Sequence, residues 1–169
     1  MINHGLSTSA LFLIVGMIYE RRHTRLISEF GGLWKVMPAF SVLFLIVCLS
    51  SLGLPGLNGF IGEFLVLLGA FQVDRRLAAF ATTGIIFAAF YLLWMYQRVI
   101  FGEITVEANR RLKDLSLREW AVILPVLLFI VWIGVHPITF TRTTEASVEA
   151  LITQVQTKAA ATTAMAAGK

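Results

Sequence analysis

A single carboxylic acid, Glu63, lies inside a long apolar stretch of this chain, a few residues after a cluster of glycines. A charge at the centre of a hydrocarbon layer costs about 2.5–3.5 kcal/mol on insertion scales, so such a residue usually faces a helix-bundle interior or a water-filled cavity. Apolar surroundings also bring proton loading and release by a carboxyl into a useful range. We therefore interpret Glu63 as a proton-binding residue. The alternative is a structural acid paired with a Lys or Arg of another helix.

His4 is the second ionisable residue in an apolar stretch, and we expect it to be buried. Thr8 follows one helical turn later, on the same face. An imidazole titrates near neutrality and can accept a proton on one nitrogen while releasing one from the other. His4 is thus a second candidate for proton transfer. The alternative is a structural hydrogen-bonding residue at the start of a helix.

The residues for other chemistries are missing from the sequence. It contains no CxxC, no HExxH, no P-loop and no phosphate-binding GxGxxG. One cysteine and three scattered histidines argue against a metal or haem site built by this chain. The residues therefore indicate proton chemistry without a cofactor or metal of its own.

The composition indicates that these residues lie in a membrane. Hydrophobic residues make up 57% of the 169 residues, charged residues make up 14%, and the mean hydropathy is +0.79. An ordinary soluble domain has about 25% charged residues. A soluble protein with a large aromatic core is the alternative. The net charge of +4 comes from short clusters between apolar runs, which favours topology signals over a nucleic-acid-binding face.

Four apolar segments can cross the membrane, at residues 2–19, 38–72, 77–101 and 116–136. The second has 35 residues and would be about 52 Å long as one helix, whereas a hydrocarbon core is about 30 Å thick. Residues 50–59 contain three glycines, Pro55 and Asn58, which are poor residues for a helix interior. The sequence therefore predicts an all-α polytopic membrane protein with about four transmembrane helices, the second discontinuous.

The C-terminal part has a different pattern. In residues 144–158, one helical stripe is formed by Val148, Leu151, Ile152 and Val155. The stripe predicts an amphipathic helix on the membrane or on a partner. We divide the chain into transmembrane helices at residues 1–140 and an amphipathic helix with a low-complexity tail at 141–169. We expect residues 159–169 to be frayed.

The positive residues predict the orientation. One side of the membrane would carry Arg21, Arg22, Arg25, Lys35, Arg110, Arg111, Lys113 and Arg118. Fewer would lie on the other side, namely Arg75, Arg76 and Arg142. By the positive-inside rule the first side is cytoplasmic, so the C-terminus is expected on the non-cytoplasmic side.

Three groups of residues make the chain resemble a known family. They are His4-Gly5-Leu6-Ser7, Tyr19-Glu20-Arg21 with His23-Thr24-Arg25, and above all residues 53–64, read as GLPGLNGFIGEF. The chain resembles the C-terminal part of chain M of the proton-translocating NADH-quinone oxidoreductase, respiratory complex I. The resemblance extends to about His136, and residues 53–64 are its most specific part.

The resemblance implies a site and a setting. Family members are antiporter-like membrane proteins, and this chain looks like their last four helices. In the family pattern, the position of Glu63 belongs to the terminal proton pathway and that of His4 to the hydrophilic axis of the membrane arm. The implied partners are other membrane-arm subunits and the lipid bilayer, with no nucleic acid. NADH, FMN, iron–sulfur clusters and quinone would be bound by other subunits, and the location would be a bacterial inner membrane.

The family's earlier half-channel would lie upstream of Met1. We therefore expect the chain to be a fragment whose proton path is completed by further sequence or by a complex. Two other hypotheses remain open. In the first, the chain is a related subunit of a multisubunit sodium/proton antiporter or membrane-bound hydrogenase. In the second, it is a fragment that packs in the membrane and transports nothing.

Overall fold

The computed structural model describes the backbone of residues 1–167 and the side chains of residues 1–159. All regular secondary structure in this part is helical. Three helices are long and apolar enough to cross a membrane, and two are shorter and apolar, which confirms the expected fold class. The six helices are α1 (Ile2–Arg22), α2 (Pro38–Ser51), α3 (Asn58–Val73), α4 (Arg75–Ile100), α5 (Leu117–Val135) and α6 (Ile138–Ala167).

The break in the second membrane helix is confirmed, because α2 ends at Ser51 and α3 begins at Asn58. The halves have 14 and 16 residues, so they are about 21 and 24 Å long, and neither spans a core of about 30 Å. Between them Gly53 and Gly56 have φ values of 69° and 93°. Left-handed backbone costs other L-residues about 1–2 kcal/mol. These two glycines therefore specify where the helix is interrupted.

Contacts with α4 show that α2 and α3 follow one another across the membrane. Near the end of α4, Tyr96 donates a hydrogen bond of 3.0 Å to the carbonyl oxygen of Ser41, in the first turn of α2. At the start of α4, the Arg75 guanidinium lies 5.5 Å from the centre of the Phe71 ring, in the last turn of α3. The two halves therefore run antiparallel to α4 as one interrupted crossing.

The N-terminus of α2 is capped by a residue far away in the sequence. The carboxylate of Asp114 accepts hydrogen bonds from the backbone N–H groups of Ala39 and Phe40, at 2.8 and 3.0 Å. The first N–H groups of a helix have no partner within the helix, and a carboxylate there also interacts favourably with the helix dipole. Asp114 therefore ties the start of α2 to the segment that leads into α5.

The start of α5 is joined to the end of α1. A capping box begins α5, because Glu119 accepts from the Ser116 N–H at 2.7 Å and Ser116 Oγ accepts from the Glu119 N–H at 3.3 Å. Arg21 of α1 forms a two-pronged ion pair with Glu119 and donates to the carbonyl oxygen of Asp114 at 3.2 Å. The C-terminal end of α1 and the N-terminal ends of α2 and α5 are thereby held together.

The helix break packs closely against α5. A Cβ atom on Gly134, in the last turn of α5, would overlap the carbonyl oxygen of Gly56 and the Cα of Leu57. Only a glycine leaves room for two backbones at this distance. Gly134 therefore fixes the depth at which the break meets α5.

By its internal contacts the chain divides after Val135, and α6 belongs to the second unit. The stripe residues Val148, Leu151, Ile152 and Val155 are exposed on α6. The expectation of a frayed tail stays a prediction. The backbone of residues 159–167 continues α6, and alanine, which is frequent there, is the strongest helix former. Gly168 and Lys169 lie outside the described residues.

The membrane orientation yields a labelling experiment. Arg76 and Glu107 are exposed, the first at the start of α4 and the second beyond its end. In sealed vesicles, Glu107→Cys should react with a membrane-impermeant maleimide only from the cytoplasmic side, and Arg76→Cys only from the other side. The unsubstituted chain is the control, because its one cysteine, Cys48, is fully buried. Labelling of both positions from one side would contradict the single crossing by α4.

Candidate functional site

Glu63 lies in the second turn of α3, and its side chain is partly buried. It lines a cavity of about 600 Å³ between α1, the end of α2, α3 and α4. Water occupies about 30 Å³ per molecule in the liquid, so the cavity is large enough for several. The other polar residues that line it are Asn3, His4, Ser7, Thr8, Ser50, Ser51 and Tyr91. The structure thus brings the two residues proposed for proton transfer, Glu63 and His4, to one cavity.

The Glu63 carboxylate lies directly against Gly53. Its Oε2 atom occupies the place that a Cβ atom on Gly53 would take. Gly53 also has a left-handed φ of 69°, and its N–H donates to the carbonyl oxygen of Ser50 at 3.2 Å. Two independent constraints, backbone conformation and space for the carboxylate, therefore require glycine at position 53.

Within the described residues, Glu63 has no ion pair and no hydrogen bond. The cations that form ion pairs there belong to other acids, in the pairs Arg21–Glu119, Arg22–Glu29 and Arg110–Glu107. The alternative interpretation of Glu63, a structural acid neutralised by a Lys or Arg, thus has no partner cation in this part of the chain. Its carboxyl is left available to the cavity.

His4 occupies a different environment from the one expected. Its side chain is exposed, and its Nε2 atom lies 3.5 Å from Thr8 Oγ1. The expectation of a buried histidine is therefore wrong for this chain, because no described helix covers the outer side of the first turn of α1. The predicted position of Thr8 on the same helix face as His4 is confirmed.

A second polar group faces the cavity without a partner. The Ser51 hydroxyl is buried and makes no hydrogen bond to any described residue. Buried polar atoms are nearly always hydrogen-bonded to protein or to water. Ser51 is thus able to hold a water molecule that enters the cavity beside Glu63.

A buried polar cluster lies where α1, α2 and α3 meet, with two of its members on the wall of the cavity, and sequence reasoning did not identify it as a unit. Its members are Ser7 of α1, Ser50 of α2 and Asn58 of α3. The two serine hydroxyls lie 2.7 Å apart, and Ser50 donates to Asn58 Oδ1 at 2.5 Å. Ser7 Oγ is also 3.3 Å from Asn58 Oδ1. The available signal was that all three are small polar residues at apolar helix positions.

Comparison with known proteins identifies relatives. A family model described as "NADH:quinone oxidoreductase/Mrp antiporter, TM" matches residues 1–89, which include His4, the break and Glu63. The chain is 47% identical over 137 residues to NADH-quinone oxidoreductase subunit M of Rhodobacter capsulatus. It is 44% identical over 152 residues to subunit M of Rickettsia typhi, and 43% identical over 152 residues to NADH-ubiquinone oxidoreductase chain 4 of Marchantia polymorpha.

These similarities cover most of this chain but a smaller part of each relative. They cover 81% of this chain and 27% of the Rhodobacter protein. For the Rickettsia and Marchantia proteins the shares are 90% of this chain and 31% of the relative. The chain thus spans less than a third of the length of these relatives.

The contact between Gly53 and Glu63 predicts the effect of a methyl group. Gly53→Ala should lower stability in detergent by more than the roughly 1–2 kcal/mol cost of the left-handed backbone alone, because the new Cβ would displace the carboxylate. The measurement is thermal unfolding, in which the fraction of protein that survives heating is quantified by size-exclusion chromatography.

Gly56→Ala is the matched control. Gly56 also has a positive φ, but a Cβ atom added there would have no other atom within 4 Å, so this variant should show the backbone cost only. Adding Glu63→Ala to Gly53→Ala should recover the steric part of the loss. Equal losses for the two glycine variants, with no recovery, would show that the carboxylate does not rest on Gly53.

Proposed function

The chain belongs to the NADH:quinone oxidoreductase/Mrp antiporter transmembrane family, and we propose that it acts within a proton-translocating membrane-arm subunit of NADH:quinone oxidoreductase. Such a subunit couples electron transfer from NADH to quinone with proton transport across the membrane. The relatives' names support this choice. In the proposal, NADH, FMN, iron–sulfur clusters and quinone are bound by other subunits, and this chain binds none of them.

One observation supports the proposal most directly: an acid without a partner cation among the described residues lies at an interrupted membrane helix, on a cavity that also contains His4. In our proposal Glu63 takes up a proton when the cavity is connected to one side and releases it when the connection changes. The connection changes, in this proposal, through flexing of the interrupted helix at Gly53 to Gly59. The second candidate residue, His4, passes protons between Glu63 and the next group along the membrane arm.

The energies involved are compatible with such a cycle. Moving one charge across 100 mV requires about 2.3 kcal/mol. The Coulomb energy between two unit charges about 4 Å apart is of similar size, about 4 kcal/mol at an effective dielectric constant of 20. A charge that appears next to the cavity during electron transfer can therefore change whether Glu63 holds its proton.

The setting of the chain is part of the proposal. We place it in the inner membrane of a bacterium, with other membrane-arm subunits and lipid as its partners and no role in nucleic-acid binding. The C-terminus is placed on the non-cytoplasmic side. The chain's exposed apolar side chains, for example Phe80, Phe87 and Phe90 on α4, are consistent with contacts to lipid or to neighbouring membrane helices.

Replacing Glu63 tests the proton-transfer role. Glu63→Gln keeps the shape and hydrogen-bonding capacity of the side chain and removes its titration. In native membranes, NADH-driven proton pumping per assembled complex should fall strongly, by about 10²-fold or more if the step depends on this acid. Glu63→Asp should retain part of the activity. Pumping is measured with a pH-sensitive dye, and the amount of complex by native electrophoresis.

Glu103→Gln is the matched control, because Glu103 is an exposed acid in the loop after α4. It should leave pumping unchanged. A structural role for Glu63 would instead reduce the amount of assembled complex first, since an unpaired buried partner costs about 3–5 kcal/mol. Normal pumping by assembled Glu63→Gln complex would remove Glu63 from the mechanism. If the unsubstituted chain supports sodium/proton exchange but no NADH-driven pumping, and Glu63→Gln abolishes that exchange, the antiporter function is favoured instead.

A further inference from the structure

Asn58 is the first residue of α3, and its side chain is fully buried at the junction of three helices. Its Nδ2 atom donates a hydrogen bond of 3.0 Å to the carbonyl oxygen of Asn3 in α1. Its Oδ1 atom accepts from Ser50, the penultimate residue of α2, at 2.5 Å. One amide group therefore bonds the start of α3 both to α1 and to the end of α2.

The hydrogen bonds of this cluster run in one direction. Ser7 and Ser50 have one hydroxyl hydrogen each, and Ser50 uses its hydrogen for Asn58. The single hydrogen of Ser7 is then shared between Ser50 Oγ, at 2.7 Å, and Asn58 Oδ1, at 3.3 Å. The sequence of donors is Ser7, Ser50 and Asn58, and it ends at a backbone carbonyl. Since an amide donates and accepts through different atoms, the cluster cannot relay protons as a row of hydroxyls can. Its role is to hold the helices.

Asn58 and Glu63 lie on two adjacent faces of α3. Residues four apart lie on one face of a helix. Asn58 and Gly62 share the face toward α1, where a Cβ on Gly62 would lie 3.4 Å from Asn3 Nδ2. Gly59 and Glu63 share the neighbouring face, toward the end of α2 and Gly53. The rotation of α3 that satisfies Asn58 is therefore the rotation that places the Glu63 carboxylate on Gly53.

We propose that Asn58 is a positioning residue for Glu63: its buried amide sets the rotation and depth of the first turn of α3 and thereby keeps the Glu63 carboxylate against Gly53. The role of this placement in transport rests on the function proposed above for Glu63. The placement itself can be measured without any transport assay. Ser7 and Ser50 support the amide from the other two helices.

The chain contains a matched control for the loss of a buried amide. Asn109 is also fully buried, and its Nδ2 donates to the carbonyl oxygen of Glu29 at 2.9 Å. It lies in the short helical segment Glu107–Arg111, and it does not line the cavity that contains Glu63. Asn109→Leu removes the same chemical group as Asn58→Leu without touching α3.

The experiment measures how fast Glu63 reacts with a water-soluble carbodiimide and glycine ethyl ester in native membranes at fixed pH. The peptide that contains Glu63 is quantified by mass spectrometry. Asn58→Leu should change the reaction rate by about twofold to tenfold, the population factor that corresponds to one ordinary hydrogen bond. The rate should rise, because a carboxylate released from Gly53 spends more time in the open cavity. Asn109→Leu should leave it unchanged.

Ser50→Ala keeps the proposal testable if Asn58→Leu fails to fold. It removes the hydroxyl that donates to Asn58 Oδ1 and leaves the bond from Asn58 Nδ2 to α1. We therefore expect a smaller increase in the reaction rate of Glu63. Unchanged labelling in both Asn58→Leu and Ser50→Ala, or equal changes in the Asn109→Leu control, would overturn the positioning role.

The two proposals fail in different measurements. If Glu63→Gln pumps normally while Asn58→Leu increases the labelling of Glu63, the positioning role stands and the transport role of Glu63 falls. If Glu63→Gln abolishes pumping while the Asn58 and Ser50 variants label and pump like the unsubstituted complex, the transport role stands and positioning by Asn58 falls.

Discussion

Peptide groups inside a hydrocarbon layer must find hydrogen-bond partners within the protein, because no water is available to them. This constraint is strongest at residues 52–57, where the second membrane helix is interrupted. Local turns satisfy part of the need, through N–H groups that donate to carbonyl oxygens three to five residues earlier, from Leu52 to Cys48, Gly53 to Ser50, Leu54 to Leu49 and Leu57 to Leu54. Gly134 of α5 packs directly against Gly56 and Leu57, and Asn58, the first residue after the segment, is bonded to α1 and α2. The irregular backbone is thus held by neighbouring helices, while Leu54, Pro55 and Gly56 in its middle are exposed.

Much of the fold follows from local sequence patterns. A proline and several glycines close together are poor residues for a helix interior, so the sequence predicts a break between about Leu52 and Asn58, and the structure interrupts the helix there. The Ser116 and Glu119 capping box also depends on residues close in sequence. The Asp114 cap on α2 joins residues about 75 positions apart, and no local pattern encodes it. Long-range polar contacts of this kind depend on how helices pack, and composition gives no information about that.

For the candidate site too, some features could be predicted from the sequence and others depend on how the helices pack. The residue type and apolar surroundings of Glu63 are visible in the sequence, since a lone acid in a membrane segment is costly and rare. The contact of its carboxylate with Gly53 is not visible in the sequence, because a glycine at position 53 is explained equally well as a helix breaker. The exposure of His4 is also beyond the reach of sequence patterns, because hydropathy describes a segment and not the neighbours that cover it. Three small polar residues on three helices become a cluster only through the packing.

The shortness of α2 and α3 has a consequence for how the chain enters the membrane during synthesis. When α2 leaves the ribosome it offers about 21 Å of apolar helix, which is too short to settle across the bilayer alone. Only Asp74 separates α3 from α4, and α4 is long and apolar enough to cross a membrane by itself. The interrupted segment therefore depends on a downstream helix for stable insertion, with α3 and α4 entering as an antiparallel hairpin. The helix break that brings polar side chains between the helices thus also makes the insertion of this region depend on sequence that is synthesised later.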